Sequence, residues 1–133
     1  MSKTLLNILF CILLLNACSK SSTSTTTDIV QQGNWKVTLY NDGGKDETYY
    51  FTGYVFTFSS GKVTATKSGS SIEGTLTLGT DDSQKKFILN FTSSPLDKLN
   101  DDWHIAEETS TKIRLEDVSG GGGGTDLLTF EKN

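Results

Sequence analysis

From residue 35 to the C-terminus, apolar and polar side chains alternate with a period of two, the signature of strands that bury one face. Trp35, Val37 and Leu39 alternate with Lys36, Thr38 and Tyr40, and Asn41, Asp42, Gly43 and Gly44 end that strand with turn chemistry. Tyr54, Phe56 and Phe58 alternate with Val55, Thr57 and Ser59, and Ser60-Gly61 turns the chain into a strand that directs Val63 and Ala65 inward. The same spacing aligns Ile72, Gly74, Leu76 and Leu78, and further on Phe87, Leu89 and Phe91. Residues 79–84 read as a polar turn between those two strands. Trp103 with Ile105, Ile113 with Leu115, and Leu128 with Phe130 complete the set.

Two stretches break the period. Residues 46–53 fit either a helical turn or a strand, with Tyr49, Tyr50 and Phe51 covering an end of the core. Ser94-Pro95 reads as an N-cap followed by proline in the first helical position, and Leu96 and Leu99 would let one helical turn plug an open end. About eight short antiparallel strands, without strand–helix alternation, predict an all-β fold: an up-and-down barrel or a flattened one.

The first 32 residues follow another pattern. Lys3 precedes an apolar run from Leu5 to Leu15 that only Asn7 interrupts, and small Ala17 stands directly before Cys18. A membrane span needs about 20 apolar residues, so this run fits a secretory signal instead. Leu15-Asn16-Ala17-Cys18 resembles the bacterial lipobox, with Asn16 the less usual residue. The resemblance implies cleavage before Cys18, a diacylglyceryl thioether on its sulfur and an acyl chain on the new amino group. Each buried methylene contributes about 0.8 kcal/mol, so two or three chains anchor firmly where one myristoyl chain is marginal. The two cysteines are Cys11, inside the leader, and Cys18, which leaves no thiol for a disulfide. Residues 19–27 are Ser, Thr and Lys only, the composition of a hydrated tether. The expected organisation is a signal peptide over 1–17, lipidated Cys18 with a tether over 18–32, and a β-domain over 33–133.

Composition narrows the function classes. The 133 residues carry a net charge of −4 with scattered acids, which argues against a nucleic-acid partner and against a basic patch for anionic lipid. His104 is the only histidine and alternates with Trp103 and Ile105, so it is expected on the outer face, without partners for a nitrogen/sulfur zinc site. No Gly-x-Ser-x-Gly elbow is present. The glycines at 120–124 lack a following Lys-Ser/Thr and lead into a strand, so they read as a hairpin loop that is costly to order, with room to become ordered against a partner. Asp81-Asp82, and Asp97 with Asn100, Asp101 and Asp102, offer oxygen ligands without EF-hand spacing. Asp101 and Asp102 are expected on opposite faces of a strand, which argues against an acid/base pair. Asn90-Phe91-Thr92 fits a glycosylation sequon that the bacterial lipobox makes irrelevant. The expectation is a non-enzymatic protein with no catalytic residue, metal or cofactor.

Gly33-Asn34-Trp35 opens the first strand as Gly-x-Trp and resembles the lipocalin signature, in which tryptophan plugs one barrel end beneath a basic residue from a late strand. Arg114, the only arginine, is the candidate for that partner, although alternation sets it opposite Ile113 and Leu115. Together with the lipobox, the tether, the runs at 54–63 and 99–104, the region around Gly120 and the closing Leu128-Thr129-Phe130-Glu131-Lys132, the chain resembles small lipocalin-like lipoproteins of Gram-negative bacteria over residues 33–133. That resemblance implies attachment to the outer membrane through the lipid, with the periplasmic side favoured over the cell surface.

Two functions stay open. One is binding of a small apolar or amphipathic ligand in the barrel mouth. The other is a protein-interaction or accessory module that meets another envelope protein and has a filled barrel. The candidate pocket or core residues are Trp35, Tyr54, Phe56, Phe58, Phe87, Leu89 and Trp103. A lined opening beside Trp35 or Trp103 would favour the ligand, and a dry interior the partner.

Overall fold

A computed structural model describes residues 24–118 and 124–133. The expected leader, Cys18, the tether as far as residue 23 and residues 119–123 of the glycine loop lie outside it.

The chain enters through a short helix, α1 (Thr26–Val30), and continues into strand β1 (Trp35–Asp42). β2 (Lys45–Asp46) is a two-residue ladder on the end of β1, followed by a 3-10 turn, η1 (Thr48–Phe51). Then come β3 (Val55–Ser59), β4 (Lys62–Lys67), β5 (Ser70–Asp81) and β6 (Gln84–Asn90). A second 3-10 turn, η2 (Leu96–Leu99), precedes β7 (Asp101–Glu108), β8 (Lys112–Val118) and β9 (Thr125–Lys132). From β3 onward each strand pairs antiparallel with the next, and β1 joins β3 on one side and β9 on the other. Apart from β2, the strands form a closed eight-stranded antiparallel barrel, as the alternation predicts.

The tight turns follow from sequence. Ser68-Gly69 and Asp82-Ser83 all have positive φ and link Lys67↔Ser70 and Asp81↔Gln84, the left-handed two-residue turns that match strand twist. The β5–β6 ladder therefore runs to a turn at Asp82-Ser83, and the polar turn expected over 79–84 is mostly strand. Gly74 on β5 is required by space. A Cβ there would lie 2.6 Å from the Asn90 carbonyl oxygen and 2.7 Å from the Phe91 ring.

The inward face is aromatic. Phe58 meets Phe87 at 5.6 Å and 80°, and Phe130 meets Phe56 at 5.3 Å and 75° and Phe58 at 5.5 Å and 88°. Edge-to-face pairs of this kind add about 0.5–1.5 kcal/mol each beyond the area they bury.

Several expectations are corrected. Val37 pairs with Phe130 and Leu39 with Thr129, so Thr38 is an extra residue in β1. The bulge reverses the phase of the strand, burying Tyr40 and leaving Leu39 only half-buried. Tyr54 precedes β3 instead of lying in it, and is half-buried at the rim. Of the two readings open for residues 46–53, the helical turn holds, as η1 (Thr48–Phe51) with Phe51 buried as expected. Pro95 sits before the first residue of η2, joined to Ser94 by a cis peptide, and η2 has no side-chain cap.

The boundary of the folded unit also moves. Residues 18–32, expected as tether, contain α1, and Val30 belongs to the core. Thr25 and Asp28 form a reciprocal capping box, each side chain accepting from the other's backbone N–H, and Ile29 and Val30 supply the apolar edge that docks.

Candidate functional site: two closed barrel ends

The strand directions define two ends. At the chain-entry end, β1 begins and α1 lies near the Ser60-Gly61 turn and the end of β7. Trp35 donates its Nε1–H to the Val30 carbonyl at 3.0 Å, so the first strand and the helix before it share one buried hydrogen bond. Thr26 Oγ1 donates to Glu108 Oε2 at 2.6 Å, and Glu108 also pairs with Lys85. Lys132 Nζ lies 5.3 Å from the centre of the Trp35 ring. The basic residue from a late strand is therefore Lys132 of β9 and not Arg114. Arg114 points outward, where it meets Glu107 at 3.5 Å and Glu116 at 2.5 Å. A two-residue step along β9 from Phe130 reaches Lys132 on the same face, a signal already present in the alternation.

The opposite end repeats the motif with other residues. Trp103 donates its Nε1–H to the Leu99 carbonyl at 2.9 Å, and Leu96 and Leu99 of η2 are fully buried. Tyr40 donates its hydroxyl to the Lys98 carbonyl at 2.8 Å and meets the Phe51 ring edge-on at 5.2 Å. Asn100 accepts from the Phe91 N–H at 2.6 Å and donates to the Phe91 carbonyl at 2.8 Å, taking the place of a neighbouring strand. Glu47 is buried between Lys45 at 2.6 Å and Lys98 at 3.1 Å, and Lys98 Nζ also lies 4.8 Å above the Tyr50 ring.

Electrostatics at this end follow from those contacts. Hydrogen bonds from Lys45 and then Lys98 hold the Glu47 carboxyl below its ordinary value. Burial pushes the Tyr40 hydroxyl up to about 12, with Asp42, Asp126, Glu47 and Asp101 adding to the effect. Asp101, Asp102 and Asp117 bring one carboxylate oxygen each within 4.8 Å of one another. Asp101 and Asp102 keep the expected opposite faces, pairing with buried Leu89 and exposed Ile88, yet their carboxylates meet at the strand end. Asp101 is the first residue of β7, and its Oδ1 turns back to accept the N–H of Asp102 at 2.8 Å. Burial, with the Asp117 charge adding to it, raises the Asp101 carboxyl, while Lys86 lowers that of Asp102 through an ion pair at 2.9 Å. Oxygen donors at this spacing suit a hard divalent cation chemically.

Of the seven pocket or core candidates, Trp35, Phe56, Phe58, Phe87, Leu89 and Trp103 are all buried, and Tyr54 is half-buried against Phe56. Among the described residues every buried side-chain polar atom has a hydrogen-bond partner. Concave regions lie at the margins. A cleft of about 360 Å³ separates α1 from Leu78, Lys86 and Ile105, and one of about 190 Å³ separates it from Ser60, Gly61 and Leu76. Another, of about 570 Å³, is lined by Gln84, His104, Ala106, Glu116 and Val118. His104 is half-buried beside Lys86 and Glu116, its cross-strand neighbours.

These features define a small antiparallel barrel packed with its own side chains and closed at each end by a short helix under a tryptophan. No protein-family model and no curated protein matches the chain. The crystal structure of a DUF4847 family protein from Bacteroides vulgatus shares the fold, with 18% identity, a TM-score of 0.54 and coverage of 82% of this chain and 98% of that one. The likeness places the chain's fold beside that of a bacterial barrel protein, and at this identity it concerns the fold alone.

Proposed function

We propose that the protein is a lipid-anchored lipoprotein of the bacterial outer membrane, periplasm-facing, whose lipocalin-like barrel serves as a non-enzymatic interaction or accessory module. The observation that carries this reading is the filled interior. Phe56, Phe58 and Phe87 pack edge-to-face on one another or on Phe130, Trp35, Leu89 and Trp103 are buried, and α1, η1 and η2 lie across the two ends. The leader and lipobox support the anchor, and the first described residues, Ser24 and Thr25, are exposed at one end of the barrel. A filled interior favours a partner protein over a small apolar ligand as what the molecule binds.

Two experiments test the reading. Metabolic labelling of the full chain with an alkyne fatty acid in a Gram-negative host should tag the protein, and Cys18→Ser should abolish the tag and release the protein from membranes. Native mass spectrometry of the detergent-extracted protein should then show the lipidated mass alone, with a second envelope protein recovered by mild cross-linking. A small adduct lost on denaturation would replace this reading with that of a ligand carrier.

A further inference from the structure

We propose that α1 is a detachable strap that sets how far the barrel stands from the membrane. The proposal rests on the anchor at Cys18 and adds a conformational device to it. Four properties of α1 point to this role. Its five residues are far below the roughly 12–15 at which an isolated helix becomes even marginally stable, so it exists only while docked. Its backbone hydrogen bonds, from Ile29 to Thr25, Gln31 to Thr27 and Gln32 to Ile29, are all internal, so no ladder ties it to a strand. Its docking rests on the buried Val30, the half-buried Ile29 and the side-chain bonds Trp35–Val30 and Thr26–Glu108. Clefts of about 360 and 190 Å³ border it, the first beside residues 24–27 and the second beside Thr27, Val30 and Gln31, so its packing is concentrated at Ile29 and Val30.

Release would unpair the Trp35 indole N–H and uncover Val30, but it would break no strand pairing. The strands keep their ladders, and β9 continues to hold β1 from Trp35 to Asn41. The reach of the tether changes greatly. With α1 docked, the chain is fixed seven residues after Cys18, which limits the stand-off to about 25 Å at full extension. With α1 released, the first fixed residue is Trp35, and the limit rises to about 60 Å. A partner bound at the far end, where η1 and η2 lie, would then be met at either of two heights above the bilayer.

The test uses the full lipidated protein in vesicles. Hydrogen exchange should show amides of residues 26–32 exchanging at least about tenfold faster than those of β1 and β9. Val30→Asp should raise the exchange of that segment to the rate of an open chain and leave the strands within about twofold of the parent. Thr26→Val, which removes only the Glu108 bond, should act in the same direction and serves if Val30→Asp does not fold. A donor dye at Asp97→Cys and an acceptor lipid should transfer less energy in the released variant. Residues 26–32 exchanging in step with the strands, or strands that open together with α1, would overturn the strap. Faster exchange with unchanged energy transfer would overturn its role in spacing. Cys18→Ser protein that stays on vesicles would overturn the anchor while leaving the exchange result standing.

Discussion

Each tryptophan follows a short helix, lies at or near the start of a strand and donates its indole N–H to a carbonyl of that helix, yet the two barrel ends are closed by different means. At the chain-entry end, α1 is attached through Val30, Ile29 and two side-chain hydrogen bonds, with clefts bordering residues 24–27 and Thr27, Val30 and Gln31. At the far end, η2 is tied by Leu96 and Leu99, by Tyr40, by the two-way Asn100–Phe91 bridge and by the Lys98–Glu47 pair. One indole hydrogen bond thus sits in two settings, one adjustable and one locked. The difference implies that closing an end and fixing it are separate tasks, and that cross-links between elements distant in sequence accomplish the second.

The largest expected effect comes from the tryptophans themselves. Trp103→Ala should cost about 4–5 kcal/mol in denaturant unfolding, and Trp35→Ala about 3 kcal/mol, because α1 can settle into the space that Trp35 leaves. Equal costs would abolish the contrast. Gly74→Ala should come next, at about 1–3 kcal/mol, since its methyl would meet the Asn90 carbonyl and the Phe91 ring that η2 depends on. Asn100→Ala should lower stability by about 1–2 kcal/mol through the loss of two hydrogen bonds and should loosen η2 in hydrogen exchange. Thr25→Ala, which removes the cap of α1, should cost about 1 kcal/mol at most and raise exchange only in residues 26–32.

Acid sharpens the comparison in a smaller way. Glu47 has a lowered carboxyl pKa in the folded protein, so its contribution is present above the ordinary carboxylate value and is lost as pH falls through the folded one. Glu47→Gln should therefore lower the Tm at neutral pH and flatten its fall below about pH 4.5. Asp101 has the opposite sign. Its raised value means that its contribution is present in acid and is lost as pH rises through the folded value. Asp101→Asn should accordingly raise the Tm slightly near pH 7 and make no difference near pH 3. Thermal unfolding across that range checks both.

Much of the architecture was legible because a strand records its burial in its own alternation. Phe56 and Phe58, Val63 and Ala65, and Ile113 and Leu115 all point where their spacing says, and the turn residues mark the hairpins between them. The bulge at Thr38 was not legible, because the extra residue is demanded by the partner strand and leaves no local mark. The capping box of α1 was legible in principle. Thr25 and Asp28 stand three apart before Ile29 and Val30, but the Ser/Thr run around them reads as tether.

By itself, then, the sequence determined the all-β class, the approximate strand count and the faces of most strands, since those depend on neighbours in the chain. The closing pair β1–β9, the filling of the interior and the seat of Lys132 over Trp35 were decided only in three dimensions. So was the cluster of Asp101, Asp102 and Asp117, whose members two different strands bring together. The physical reason is the same in each case: such contacts depend on barrel closure and on the direction of a side chain leaving a strand end, and alternation along one strand carries neither.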